Sequence, residues 1–123
     1  MFKNILIIGF GMIGSSIARS VIKKYKNINI FAFDKSNNLK IRINKSKLNN
    51  VKVLKSLQEI NNLNIDLIII CVPMLQYQSI FKKLSNINLD KTIVTDVGST
   101  KVNIEKLYNQ KKYKFNFIPS HPI

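Results

Sequence analysis

The chain has 123 residues, enough for one domain with a real core and too few for two. It is 46% hydrophobic and 21% charged, a balance that excludes a disordered chain. The formal charge of +14 would raise nucleic acid or an anionic membrane as a partner, but the lysines are scattered and only Arg19 and Arg42 are arginines, so the charge reads as solvated helix faces and no nucleic-acid partner is expected.

Cys71 is the single cysteine, which excludes an internal disulfide and any cysteine-based zinc cluster; no metal site is expected. Lys3, the apolar run and Ser16-Ile17-Ala18 faintly imitate a signal peptide. Three glycines interrupt that run, however, and no apolar stretch approaches the roughly 18 residues of a membrane span. The expectation is a cytoplasmic protein without membrane contact.

Residues 3 to 8 read as a buried strand, with Ile5 to Ile8 unbroken in apolar character. Gly9, Gly11 and Gly14 follow as G-x-G-x-x-G, opening a helix over Met12 to Tyr25. Gly9 allows a tight turn, Gly11 lets a pyrophosphate approach the backbone, and Gly14 lets the helix pack close to its strand. The loop Gly9-Phe10-Gly11-Met12-Ile13-Gly14 is therefore the candidate cofactor cradle, with helix amides facing the anion. In the helix, Ile13, Ile17 and Val21 form one row and Ala18, Ile22 and Tyr25 its neighbour, giving a wide apolar face.

Asn29 to Phe33 is the second strand, tipped by Asp34. The acid stands about twenty residues past the last glycine, where a carboxylate accepts ribose hydroxyls and repels a 2′-phosphate. That favours NAD over NADP, although Lys35 offsets the repulsion in part and leaves NADP open. An acid at a strand end is also a common turn or cap residue. Ser36 to Lys47 reads as a short polar helix, Val51 to Leu54 as a strand, and Ser56 to Ile60 as a helical turn.

Asp66 to Val72 is the next buried strand, stopped by Pro73. Val72 and Pro73 should border the dinucleotide, while Cys71 reads as a small buried residue with no activating base in view. Tyr77, Ile80, Phe81 and Leu84 then mark one face of a helix. Thr92 to Asp96 is a further strand, followed by Gly98-Ser99 and a helix over 100 to 109. Lys114 to Ile118 is the last strand, before Pro119-Ser120-His121-Pro122-Ile123.

Strands alternating with helices, each strand nearly continuous in apolar residues, indicate a parallel α/β sheet. The glycine turn makes it a doubly wound Rossmann dinucleotide-binding domain over residues 1–123. Gly9 to Gly14, Asp34, Val72, Pro73, Gly98, Ser99 and His121 all follow strands, so they should share one sheet edge. His121 is the only histidine. It suits the base of an alcohol oxidation, and a structural role is equally compatible with its position. Ser99 can cap the following helix and still turn its hydroxyl to a ligand.

Taken together, Gly-Phe-Gly-Met-Ile-Gly-Ser-Ser-Ile-Ala, Asp34, Asp-Leu-Ile-Ile-Ile-Cys-Val-Pro, Thr-Asp-Val-Gly-Ser-Thr-Lys and Pro-Ser-His-Pro-Ile resemble the prephenate/arogenate dehydrogenases of tyrosine biosynthesis. The resemblance runs along nearly the whole chain. It implies hydride transfer from prephenate or arogenate to NAD(P), with loss of carbon dioxide and aromatisation of the ring. On the matching positions, His121 would take the hydroxyl proton of the substrate and Ser99 would lie near that hydroxyl and the nicotinamide. Family members continue past the His-Pro motif into a helical domain that forms a homodimer and supplies arginines to the substrate carboxylates. The expectation is therefore either a fragment or a nucleotide-binding half that cannot complete a site alone, and in both cases a chain that binds NAD and turns over substrate poorly. A β-hydroxyacid or imine-reductase type dehydrogenase shares the glycines and the Cys-Val-Pro strand, and a non-catalytic NAD sensor would need the glycines and Asp34 without His121.

Overall fold

The structure, a computed structural model, describes residues 2–48, 50–97, 106–109 and 113–120. Six strands form one parallel sheet: β1 (Asn4–Ile8), β2 (Asn29–Phe33), β3 (Val51–Val53), β4 (Leu67–Ile70), β5 (Ile93–Asp96) and β6 (Asn116–Phe117). Their spatial order is β3-β2-β1-β4-β5-β6, the order of a doubly wound dinucleotide fold. The chain reverses direction of travel between β1 and β4, whose Ile5–Ile8 pairs in register with Leu67–Ile70. Ligands in such sheets bind beyond the carboxyl ends of the strands at this switch point.

The apolar runs are explained by burial on both faces. Leu6, Ile8, Phe31, Ile68, Ile70 and Val94 point to one side, under a 3-10 turn at Leu57–Asn62 and helix α3 (Tyr77–Leu84). Ile5, Ile7, Ile30 and Ala32 point to the other, under α1 (Met12–Lys24) and α2 (Leu39–Lys45). Around the fully buried Phe81, the rings of Tyr77, Tyr108, Tyr113, Phe115 and Phe117 stand edge-on at centroid distances of 5.2 to 6.2 Å. Such pairs add roughly 0.5–1.5 kcal/mol each beyond area burial, and here they tie β6 and helical residues 106–109 to α3.

Several elements are shorter than their apolar patterns. α1 ends at Lys24, with Tyr25 already extended and 44% exposed. Only Gly14 and Ala18 of α1 are fully buried, whereas Ile13 is 57% exposed. The reason is that the small residues, not the isoleucines, set the closest approach to the sheet. α2 starts at Leu39 rather than Ser36, because Ser36 and Asn38 bond each other's groups in a turn: the Ser36 hydroxyl donates to Asn38 Oδ1. Lys47, at φ 58°, marks the left-handed exit from the helix. β4 starts after Asp66, whose Oδ2 accepts the Lys3 and Asn4 amides at 2.8 Å each, and it pairs regularly only to Ile70. The last strand is likewise confined to two residues. At the start of the 3-10 turn, Ser56 and Glu59 form a reciprocal capping box, and the turn runs to Asn62, two residues past the end expected for a turn over Ser56 to Ile60. Among the described residues no helix is long and apolar enough to cross a membrane, and no group of three acids, cysteines or histidines could hold a metal ion.

Candidate functional site

The glycine loop is built by two close approaches and one opening. Gly9 has φ +92°, and a Cβ there would lie 2.8 Å from the Cys71 backbone and from Val72 Cγ1. A Cβ on Gly14 would stand 2.2 Å from the Gly9 carbonyl oxygen and 3.2 Å from Ile7 Cγ2. These two glycines press loop, helix and β4 together. Gly11 differs: a Cβ there would meet nothing within 4 Å. Gly11 is also the N-cap of the 13-residue α1, with no side-chain cap and no acid in the first turn. The positive end of the helix is thus left open at a place where backbone can approach an anion. This space fits the diphosphate of a dinucleotide.

At the tip of β2, Asp34 is held by three partners. Its Oδ2 accepts the Phe10 amide at 2.8 Å and lies 3.2 Å from Arg42 Nη2. Its Oδ1 accepts the Ser36 amide at 2.9 Å. Burial pushes the Asp34 carboxyl up, but the Ser36 and Phe10 amides and the Arg42 guanidinium outweigh it and hold it below the ordinary value. Arg42 also donates through Nη1 to the Phe10 carbonyl at 3.0 Å and through Nε to Asn38 Oδ1 at 3.1 Å. One guanidinium therefore joins glycine loop, β2 tip and the start of α2.

Gly9, Gly11, Met12, Ile13, Asp34, Val72 and Pro73 all line one cleft of about 640 Å³ at the carboxyl edge of the sheet. The exposure of Ile13 has its explanation here, since it faces the cleft and not the sheet. Phe10 and Gly14 do not line it. The Phe10 side chain is only 4% exposed and packs in the core beneath α1 and α2, and its amide is already given to Asp34. Both act through the backbone they position. Gln76, Ser79 and Lys83 close the far wall from the segment after Pro73, and no motif had pointed to them.

Past the switch point the edge is built differently. Asp96, at the end of β5, is fully buried. Its Oδ2 accepts the Tyr77 hydroxyl at 3.3 Å and its Oδ1 the Ser120 amide at 3.3 Å, while the Ser120 hydroxyl donates to the Asp96 carbonyl. Ser120 is thereby brought to the end of β5, beside the cleft wall formed by Cys71. Burial and the neighbouring Asp96 charge push the Cys71 thiol up to about 12, so it stays protonated and is no nucleophile. Gly98, Ser99 and His121 lie outside the described residues. Neither Arg42 nor the Tyr77–Asp96–Ser120 cluster was singled out from sequence. Arg42 is eight residues past its partner on a helix of mixed pattern, and Tyr77 had been assigned to the core stripe, which it also fills.

The family model for the prephenate dehydrogenase nucleotide-binding domain matches residues 17–123. Among curated proteins, the chain is 35% identical over 125 residues to a prephenate dehydrogenase of Lactococcus lactis subsp. cremoris, covering 98% of this chain and 34% of that protein. It is 29% identical over 123 residues to a cyclohexadienyl dehydrogenase of Zymomonas mobilis subsp. mobilis, covering 100% of this chain and 41% of the relative. The chain thus spans between a third and two-fifths of the length of these relatives. Among solved structures, the fold is that of Aquifex aeolicus prephenate dehydrogenase in complex with hydroxyphenyl propionate and NAD+ (TM-score 0.74, 24% identity, 100% of this chain and 42% of that one). It is equally that of Synechocystis arogenate dehydrogenase (TM-score 0.79, 21% identity, 98% and 41%). With a family match over most of its length and the six-stranded order that such domains require, the chain belongs to the prephenate dehydrogenase nucleotide-binding domain family.

Proposed function

We propose that these residues form the cofactor half of a dehydrogenase that oxidises and decarboxylates prephenate or arogenate, with NAD+ as acceptor. The observation that carries the reading is the single cleft in which Gly11 at the open end of α1, Asp34 at the β2 tip and Val72-Pro73 after β4 converge. Gly9, Gly11, Met12 and Ile13 would hold the diphosphate, and Asp34 a ribose hydroxyl. Val72 and Pro73, with Gly98 beyond β5, would flank the nicotinamide. When bound, the nicotinamide supplies the hydride acceptor. His121 would be neutral and take the proton of the substrate hydroxyl, and Ser99 would hydrogen-bond the same oxygen. Loss of that proton raises electron density on the carbon that must release hydride, and expulsion of carbon dioxide then leaves an aromatic ring. In this reading the substrate carboxylates and a homodimer contact belong to a helical unit of the kind these longer relatives have room for.

The test is cofactor reduction with prephenate and, separately, arogenate, by protein that carries both halves. His121→Asn should lower kcat by about 10²–10⁴-fold while leaving NAD+ affinity within a few-fold. A variant with undiminished rate would remove His121 from the chemistry, and absence of reduction with both compounds would overturn the reading. The 123 residues alone should bind NAD+ and show little or no turnover.

A further inference from the structure

The surroundings of Asp34 are wrong for a carboxylate that must repel phosphate. This point rests on the dinucleotide reading above. Asp34 is the only acid among the described residues lining the cleft, and again the only one lining a second cavity of about 620 Å³ on its other side. Lys35 and Lys83 line the first cavity with it, and Lys40, Lys52 and Lys55 the second. Nearest of all is Arg42, with Nη2 at 3.2 Å from Oδ2. The guanidinium offsets the negative charge of the carboxylate where it stands.

The hydrogen-bond count points the same way. A carboxylate offers about four acceptor sites. The Phe10 amide and Arg42 occupy Oδ2, and the Ser36 amide occupies one site of Oδ1. One site remains, so a ribose that presents both hydroxyls must displace a partner. The two backbone amides are fixed at 2.8 and 2.9 Å by the glycine loop and the β2 turn. Arg42 is the longer contact, on a side chain that is 38% exposed, and turning outward exchanges its bonds to Asp34, the Phe10 carbonyl and Asn38 Oδ1 for bonds to the ligand. Dinucleotide folds meet the ribose either with an acid, for a 2′-hydroxyl, or with a nearby arginine, for a 2′-phosphate. This pocket holds both in contact.

We propose that Arg42 is a specificity-determining residue: paired with Asp34 it leaves room for the NAD+ ribose, and turned outward it receives the 2′-phosphate, so that the pocket takes NADP+ as well as NAD+. The charge removed from Asp34 in the first state is the charge offered to phosphate in the second.

The experiment is calorimetric titration of the protein with NAD+ and with NADP+, for wild type, Arg42→Met and Arg42→Lys, at low salt. Wild type should bind the two within about tenfold of each other. Arg42→Met should widen the preference for NAD+ by about tenfold or more, the worth of one charge-assisted phosphate contact. Arg42→Lys, which keeps the charge, should hold the ratio within a few-fold of wild type. A wild-type preference for NAD+ beyond about 100-fold overturns the proposal. So does an equal loss of both affinities in a folded Arg42→Met protein, which would make Arg42 a structural clamp only. Wild type that binds neither nucleotide overturns the dinucleotide reading together with this one, and circular dichroism of each variant separates these outcomes from misfolding.

Discussion

Asp34 and Asp96 end β2 and β5 at the same sheet edge, yet their partners differ in kind. Asp34 is partly exposed, paired with a half-exposed arginine and open to the cleft. Asp96 has no exposed surface and is held by a tyrosine hydroxyl and a backbone amide. A carboxylate with an exchangeable partner can change its bonds when a ligand arrives. A buried one whose partners come from α3 and from the segment before His121 can only hold them in place. The edge therefore has an adaptable end and a rigid end, and the rigid end adjoins the expected chemistry.

Replacement of Asp96 should have the largest effect on stability. Asp96→Ala removes the acceptor shared by the Tyr77 hydroxyl and the Ser120 amide at a fully buried position and should cost about 3 kcal/mol in urea unfolding. A cost below about 1 kcal/mol would show that the cluster is relaxed and not a staple. Asp34→Ala should act mainly on ligand binding, weakening NAD+ by about tenfold or more, while unfolding changes by about 1–2 kcal/mol, since the Ser36 amide and Arg42 that it releases are open to water and only the Phe10 amide is part-buried. If Asp34→Ala proved as destabilising as Asp96→Ala, the contrast between the two ends would be gone. Tyr77→Phe removes one hydroxyl and keeps the ring against Phe81, so a loss of about 1 kcal/mol is expected.

The smallest effect is that of acid. The Asp34 carboxyl is held below its usual 3.8, so its contribution to stability is complete above that value. That contribution is lost as pH falls further, through the lower folded value. Melting temperatures of Asp34→Asn should accordingly fall less steeply than those of wild type below that pH, and parallel curves would contradict the assignment. Cys71 offers a separate check: its thiol, raised to about 12, should alkylate far more slowly at mild alkaline pH than the same thiol after denaturation.

Much of this was legible along the chain because the signals are local. An unbroken run such as Ile5 to Ile8 can satisfy its surroundings only as a strand covered on both faces, and glycines at 9, 11 and 14 answer to steric needs within one turn. Element ends were less legible. The stop of α2 at its N-terminus depends on side-chain bonds among Ser36 and Asn38, which compete with helix for the same backbone. Phe10 is less legible for a related reason: its place in the motif is that of a ligand contact, while its ring lies off the cleft and packs under two helices.

The sequence by itself determined the parallel α/β architecture, the glycine turn and the acid at the β2 tip, since periodicity and backbone sterics act over a few residues. Only the tertiary structure decided what that acid touches. Arg42 meets Asp34 because α2 folds back over the β2 turn, and Tyr77 meets Asp96 because α3 crosses the sheet beneath β5. Electrostatic and hydrogen-bond partners are chosen by proximity in space, and no spacing along the chain encodes it.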